Sequence, residues 1–282
     1  MDRRDHIVHC GALRLHVADW GGTGGWPVVM LHGIRSFADT FEGLAGALQP
    51  GYRVLALDHR GRGQSEWDPG RNYYTDAYVE DVGAVVEQLG LSRFDLLGHS
   101  MGGINAIVYA AAHPDRVRKL IVEDAGPGAF DDSDGARRIR AELSRTPESF
   151  ADWGEAETFM REIRPTVTPE AIAARLRHML EPHGDRLRWR YDHAGIKATR
   201  LDPDPARVVD LWPPVQALCC PTLVLRGGRS DYLSAATARA MAARNPAIAW
   251  REIPDAGHYV HDDQPERVAL AVTEFLGAAP TP

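Results

Sequence analysis

Cysteine is scarce: the 282 residues contain three, at Cys10, Cys219 and Cys220. Two are adjacent and no CxxC occurs, so neither a disulfide framework nor a zinc site is suggested, and reduced thiols are expected. No apolar run approaches the roughly 20 residues of a membrane span. The opening MDRRDHIVHC is charged and lacks the apolar stretch of a secretory signal, so a cytoplasmic location is expected. An excess of basic charge is missing too. The 32 Lys and Arg stand against 39 Asp and Glu, a net charge of −7, whereas phosphate binding calls for a basic surface. These shortages argue against nucleic acid and membrane as partners and leave a small molecule. A hydrophobic share of 44% with 25% charged residues is an ordinary globular balance.

Short apolar runs alternate with helical patterns. HIVHCGALRLHVADWGG reads as two strands joined at a glycine, and PVVMLHG (27–33) as a buried strand. In 37–49, Phe37, Phe41, Leu44 and Leu48 recur at helical spacing. YRVLALD (52–58), FDLLG (94–98) and VRKLIVED (117–124) read as strands, and 78–91 as a helix stopped at Gly90. Near-continuous apolar strands between helices imply a parallel sheet covered on both faces. From Gly126 to about Pro205 no strand-like run appears, and helical patterns such as 168–182 take over. Strand and helix then alternate again: strands at 221–228 and 247–254, helices at about 234–244 and at 265–276. One core domain (1–125 and 206–282) with a helical cap inserted at 126–205 accounts for this rhythm.

Between a predicted strand and a predicted helix stands Gly98-His99-Ser100-Met101-Gly102. A G-x-S-x-G at that junction is the context of a nucleophile elbow. The turn strains the serine and lifts its hydroxyl clear of the sheet, and glycine two before and two after avoids collision. The helix that follows directs its positive end at the site. A serine nucleophile needs a base. Of twelve histidines, His258 is best placed, in the loop after the last strand, where parallel sheets collect catalytic groups. His261 is a weaker candidate, and His99 is confined to packing by the elbow. An oxyanion needs two donors. The Met101 N–H is one, and the Ile34 N–H, after LHG, is the natural second. His32 reads as a structural hydrogen-bonding residue.

LHG, DHRGRGQS (58–65), GHSMGG (98–103), LVLRGGRSD (223–231) and AGH (256–258) together resemble the α/β-hydrolase fold family, from about residue 7 to residue 277. The resemblance implies an eight-stranded, mostly parallel sheet whose second strand is antiparallel, with a lid after the sixth strand. It implies no metal or cofactor. Branches that use an aspartate nucleophile are excluded by Ser100. Carried over, the triad has Ser100 as nucleophile and His258 as base. Most members place the acid after the seventh strand, three residues beyond its closing glycine. That position is Ser230 counted from Gly227, and Asp231 counted from Gly228. A minority place the acid after the sixth strand, where Asp124 stands 24 residues beyond Ser100. In this the chain is similar to the acylaminomethylene-succinate hydrolases, relatives of the meta-cleavage-product hydrolases. Asp124 is the first choice and Asp231 the alternative.

The expected reaction is acyl transfer to water on a small carboxylic ester, lactone or amide. A C–C hydrolase of vinylogous diketones would use the same residues. A haloperoxidase-like or perhydrolase activity, and a ligand receptor retaining the triad, are further readings. Arg35, next to the oxyanion loop, is a candidate clamp for a substrate carboxylate. Trp189, Arg190, Tyr191, Trp212 and Tyr259 are candidates to line the pocket, although Trp189 and Tyr191 could equally anchor the lid. Either a monomer or a homodimer is compatible with this sequence.

Overall fold

Gly11, at a φ of 58°, turns β1 (Arg4–Cys10) back onto β2 (Leu13–Asp19), as the glycine in that stretch predicts. The protein is described by a computed structural model covering residues 3–22, 25–49, 51–128, 133–164 and 167–277. Among the described residues the main sheet has eight strands. Besides β1 and β2 they are β3 (Trp26–Leu31), β4 (Tyr52–Leu57), β5 (Phe94–His99), β6 (Val117–Glu123), β10 (Thr222–Gly227) and β11 (Ile248–Ile253). Their order is β1-β2-β4-β3-β5-β6-β10-β11. The second strand is antiparallel to both neighbours, and β4, β3, β5, β6, β10 and β11 pair in parallel in that order.

Strand side chains alternate between two cores. Val29 and Leu31 of β3 face one core with α2 (Thr75–Gln88) and α3 (Met101–Ala112); Val28 and Met30 face the other with α1 (Glu42–Leu48) and α11 (Pro265–Leu276). Both faces are thus covered, which is why the strands read as continuous apolar runs rather than alternating ones. The helix expected over 37–49 splits into a 3₁₀ turn at Ala38–Phe41 and α1, and α2 begins three residues before the expected 78. No helix among the described residues is long and apolar enough to cross a membrane.

Between β6 and β10 the chain forms α4 (Asp134–Arg145), α5 (Trp153–Ile163), α6 (Pro169–Met179), α7 (His193–Leu201) and α8 (Trp212–Ala217). The expectation that 126–205 contains no strand is corrected here. β7 (Ser149–Phe150), β8 (Leu180–His183) and β9 (Arg186–Trp189) make a separate antiparallel sheet in the order β7-β9-β8. The helix pattern over 168–182 therefore stops at Met179. The strand signal lay in the arginines: Leu187 and Trp189 point inward while Arg186 and Arg188 alternate outward. Gly184-Asp185 is the two-residue turn, with Gly184 at a φ of 62° and His183 opposite Arg186.

Candidate active site

Every sequence-predicted triad residue sits at a C-terminal strand end, where parallel strands leave their loops. Ser100 follows β5 with φ 53° and ψ −118°, a strained conformation for a residue with a side chain. The elbow leaves no room beside it. A Cβ on Gly98 would lie 2.2 Å from the Gly102 carbonyl oxygen, and one on Gly102 would lie 2.1 Å from the Leu31 oxygen. Gly102→Ala is therefore expected to cost at least about 2 kcal/mol, the scale of overpacking a rigid site. Thermal unfolding checks this, and an unchanged Tm would contradict it.

Ser100 Oγ lies 2.9 Å from His258 Nε2, and His258 Nδ1 lies 2.8 Å from Asp124 Oδ2. Because an ionised carboxylate only accepts, Nδ1 carries the proton and Nε2 is free to accept from the serine. Asp124, with no exposed surface, stands one residue beyond β6 at a φ of 47°. Its Oδ1 accepts from the Gly227 N–H at 3.1 Å, and its Oδ2 also accepts from the Ser230 hydroxyl. Asp231 is elsewhere: its carboxylate takes both forks of Arg138, at 2.7 and 2.9 Å, and is about one-third exposed. The side chains of Ser100 and His258 are buried, and the Tyr232 ring packs 4.4 Å from the His258 ring.

The loop carrying Gly33 and Ile34 lies against the elbow. Gly33 is close enough that a Cβ there would come within 3.5 Å of the Ser100 Cβ. His32 Nδ1 donates to the Gly33 carbonyl at 2.7 Å, and its Nε2 accepts from the His59 N–H at 3.2 Å. The C=O and N–H of a trans peptide point opposite ways, so this bond turns the Ile34 N–H away from His32. Ile34 and Met101 then line one cavity with Arg62, Ile104 and Ile196. Arg62, within the DHRGRGQS run, donates to the Ile34 carbonyl at 3.1 Å and to the Tyr78 hydroxyl, and it reaches Met101 Sδ at 3.6 Å.

His32 is fully buried, and burial holds its pKa down at about 4. The unfolded chain, titrating near 6.5, then binds a proton that the folded chain refuses. This contribution to stability is intact above about pH 6.5 and falls as pH drops toward 4, by up to about 1.4 kcal/mol per pH unit. Urea denaturation should give a lower unfolding free energy at pH 5 than at pH 7.

The expected pocket residues divide. The Arg35 guanidinium is buried and donates from Nη2 to Glu142 of α4, which also takes Arg138 at 2.9 Å, so one arm of its fork is held by a carboxylate of the protein itself. Trp189 is nearly fully buried and donates from its indole nitrogen to the Pro147 carbonyl at 2.7 Å. It packs edge-on against Phe150, 5.2 Å between centroids, and also borders a small cavity with Arg35 and Tyr259. Arg190 donates to the Leu180 carbonyl at 3.2 Å. Tyr191 is buried, and burial pushes its phenol well above the ordinary range. Trp212 begins α8 and stacks under Arg244 at 3.8 Å, on α9 (Ala235–Arg244). Tyr259 adjoins the base, with ring centroids 5.3 Å apart, under the Arg164 guanidinium at 3.7 Å. Burial pushes its phenol up, and Arg35 and Arg164 outweigh that and hold it below its ordinary value.

The family model described as alpha/beta hydrolase fold matches residues 27–194. The 3-hydroxybutyrate-oligomer hydrolase of Cupriavidus necator is 31% identical, over 96% of each chain. The 2-(acetamidomethylene)succinate hydrolase of Mesorhizobium japonicum is 28% identical, over 96% of this chain and 94% of its own. A crystal structure of E-2-(acetamidomethylene)succinate hydrolase superposes with a TM-score of 0.84 at 28% identity, covering 97% of this chain and 99% of that one.

Proposed function

This chain belongs to the α/β-hydrolase fold family and is a hydrolase, and from that premise we propose that it cleaves a small carboxylic ester, lactone or amide through an acyl-enzyme on Ser100. The observation that carries this reading is the unbroken hydrogen-bond chain from Ser100 Oγ through both His258 nitrogens to Asp124. His258 Nε2 takes the serine proton as Oγ attacks the carbonyl carbon. The oxyanion that forms accepts from the Met101 and Ile34 N–H groups. His258 then passes its proton to the leaving group. Water, deprotonated by the same nitrogen, attacks the acyl-enzyme and releases the acid and free Ser100. Asp124 stays ionised throughout, holding the tautomer and offsetting the imidazolium charge.

In this reading residues 126–205 act as a lid over the site, with the Arg35–Glu142 pair tying it to the oxyanion loop. The test is steady-state turnover on a panel of p-nitrophenyl esters, lactones, amides and a vinylogous diketone. Sustained turnover of at least one carboxylic ester, lactone or amide supports the reading. A burst that arrests after one equivalent points to a receptor. Turnover of the diketone alone moves the assignment to C–C hydrolysis.

A further inference from the structure

A second carboxylate–histidine pair lies beside the first. Glu123, the residue before Asp124, has no exposed surface, and its Oε2 accepts from His261 Nδ1 at 2.6 Å. His261 stands three residues after His258, on the single helical turn α10 (Val260–Asp263). Thus two neighbouring acids at the end of β6 hold two histidines of one loop. Glu123 serves the nucleophile as well, since its backbone carbonyl accepts from the Ser100 N–H at 2.9 Å. His99, inside the elbow, completes the contact. Its Nε2 donates to the His258 carbonyl at 2.9 Å, and its ring meets that of His261 edge-on at 4.9 Å.

Burying two ionisable side chains is expensive, and an apolar pair of equal volume is often at least as stable. Stability alone therefore does not account for Glu123 and His261. A general base must be held within about 0.5 Å of its working place, and His258 sits on a loop whose other end is His261. We propose that Glu123 and His261 form a positioning pair that anchors this loop to β6 and keeps His258 Nε2 on Ser100. The inference rests on the Ser100–His258–Asp124 reading of the site.

The groups facing His261 come from every side. Glu123 reaches it from β6, and Thr40 Oγ1 lies 3.2 Å from its Nε2. Asp262 of its own turn lies at 3.8 Å and is itself bonded by Arg175 of α6 at 2.9 Å and by Arg164 at 3.2 Å. His99 packs on one side and Phe41, at 5.1 Å, on another. Burial opposes the imidazolium, and the two carboxylates outweigh it, holding the His261 pKa above its ordinary value.

The experiment is a double-mutant cycle on p-nitrophenyl acetate: Glu123→Gln, His261→Gln and both together, with kcat, KM and the pH profile of kcat/KM. Each single should lower kcat about tenfold with KM little changed, and the double should be no worse than either, as for coupled partners. His261→Gln leaves the buried Glu123 carboxylate without its cation, which favours protonated His258. The acidic limb should move to higher pH and return in the double. Wild-type kcat and an unmoved limb in both singles would overturn the pairing; so would losses that multiply in the double while the limb stays fixed. If a single variant does not fold, Thr40→Val tests the same anchor. It removes only the second bond of His261 and should lower kcat by a few-fold at constant KM, while an unchanged kcat would overturn the proposal. Ser100→Ala, run alongside, separates the two levels. Normal turnover by it sinks the site reading itself, whereas an inert Ser100→Ala beside wild-type behaviour of the other variants sinks only the pair.

Discussion

Ser100→Ala should remove turnover, lowering kcat by about 10⁶, as loss of the nucleophile does in a serine protease. The loss is chemical rather than structural. Alanine at the same φ of 53° is no more strained than serine, and the Gly98 and Gly102 contacts that build the elbow are untouched. Only the hydroxyl 2.9 Å from His258 is gone. Substrate binding should survive, because the cavity beside Ile34 and Met101 keeps its walls. Equilibrium binding of a slow substrate or product measured alongside kcat separates the two effects.

Asp124→Asn should cost about 10⁴ in kcat, the penalty of a wrongly oriented and wrongly protonated histidine. Oδ1 of Asp124 already accepts from the Gly227 N–H, so an asparagine keeps its carbonyl there and turns its NH₂ toward His258 and Ser230. That amide donates to Nδ1 and forces the ring proton onto Nε2, where it can no longer receive the serine's. Asp231→Asn loses a partly exposed pair with Arg138, worth about 0–1 kcal/mol, and should leave kcat within about threefold. A large loss at 231 with near-normal turnover at 124 would reverse the assignment.

The sheet was legible because its strands are buried on both faces and its helices carry clear periodicity. The elbow was legible because glycine-serine-glycine spacing is a local steric requirement. The choice between Asp124 and Asp231 stays open in the sequence for a physical reason. Counting along β10 reaches Ser230, which reads as a missing carboxylate, whereas in the fold its hydroxyl donates to Asp124 at the end of the neighbouring strand β6. Such a contact spans 106 residues and leaves no spacing to read. Arg35 likewise meets Glu142 across 107 residues, a pairing that no local spacing announces. The small sheet of β7, β8 and β9 was missed although Gly184-Asp185 is a hairpin signal. Strands of two to four residues are too short for alternation to stand out among arginines. Tyr232, packed on His258, carried no motif, and Arg62 stood in the DHRGRGQS run with nothing there to show its bond to the Ile34 carbonyl; both contacts emerge only from tertiary placement.

The central claim is that Ser100 carries the acyl group. Its most direct measurement is peptide mass spectrometry after brief reaction with p-nitrophenyl acetate and acid quench, with a fluorophosphonate as a trapping control. One acetyl or phosphonyl group per chain is expected on the peptide containing Ser100, and none in Ser100→Ala. An adduct on another residue, or sustained hydrolysis with no adduct on Ser100, would contradict it.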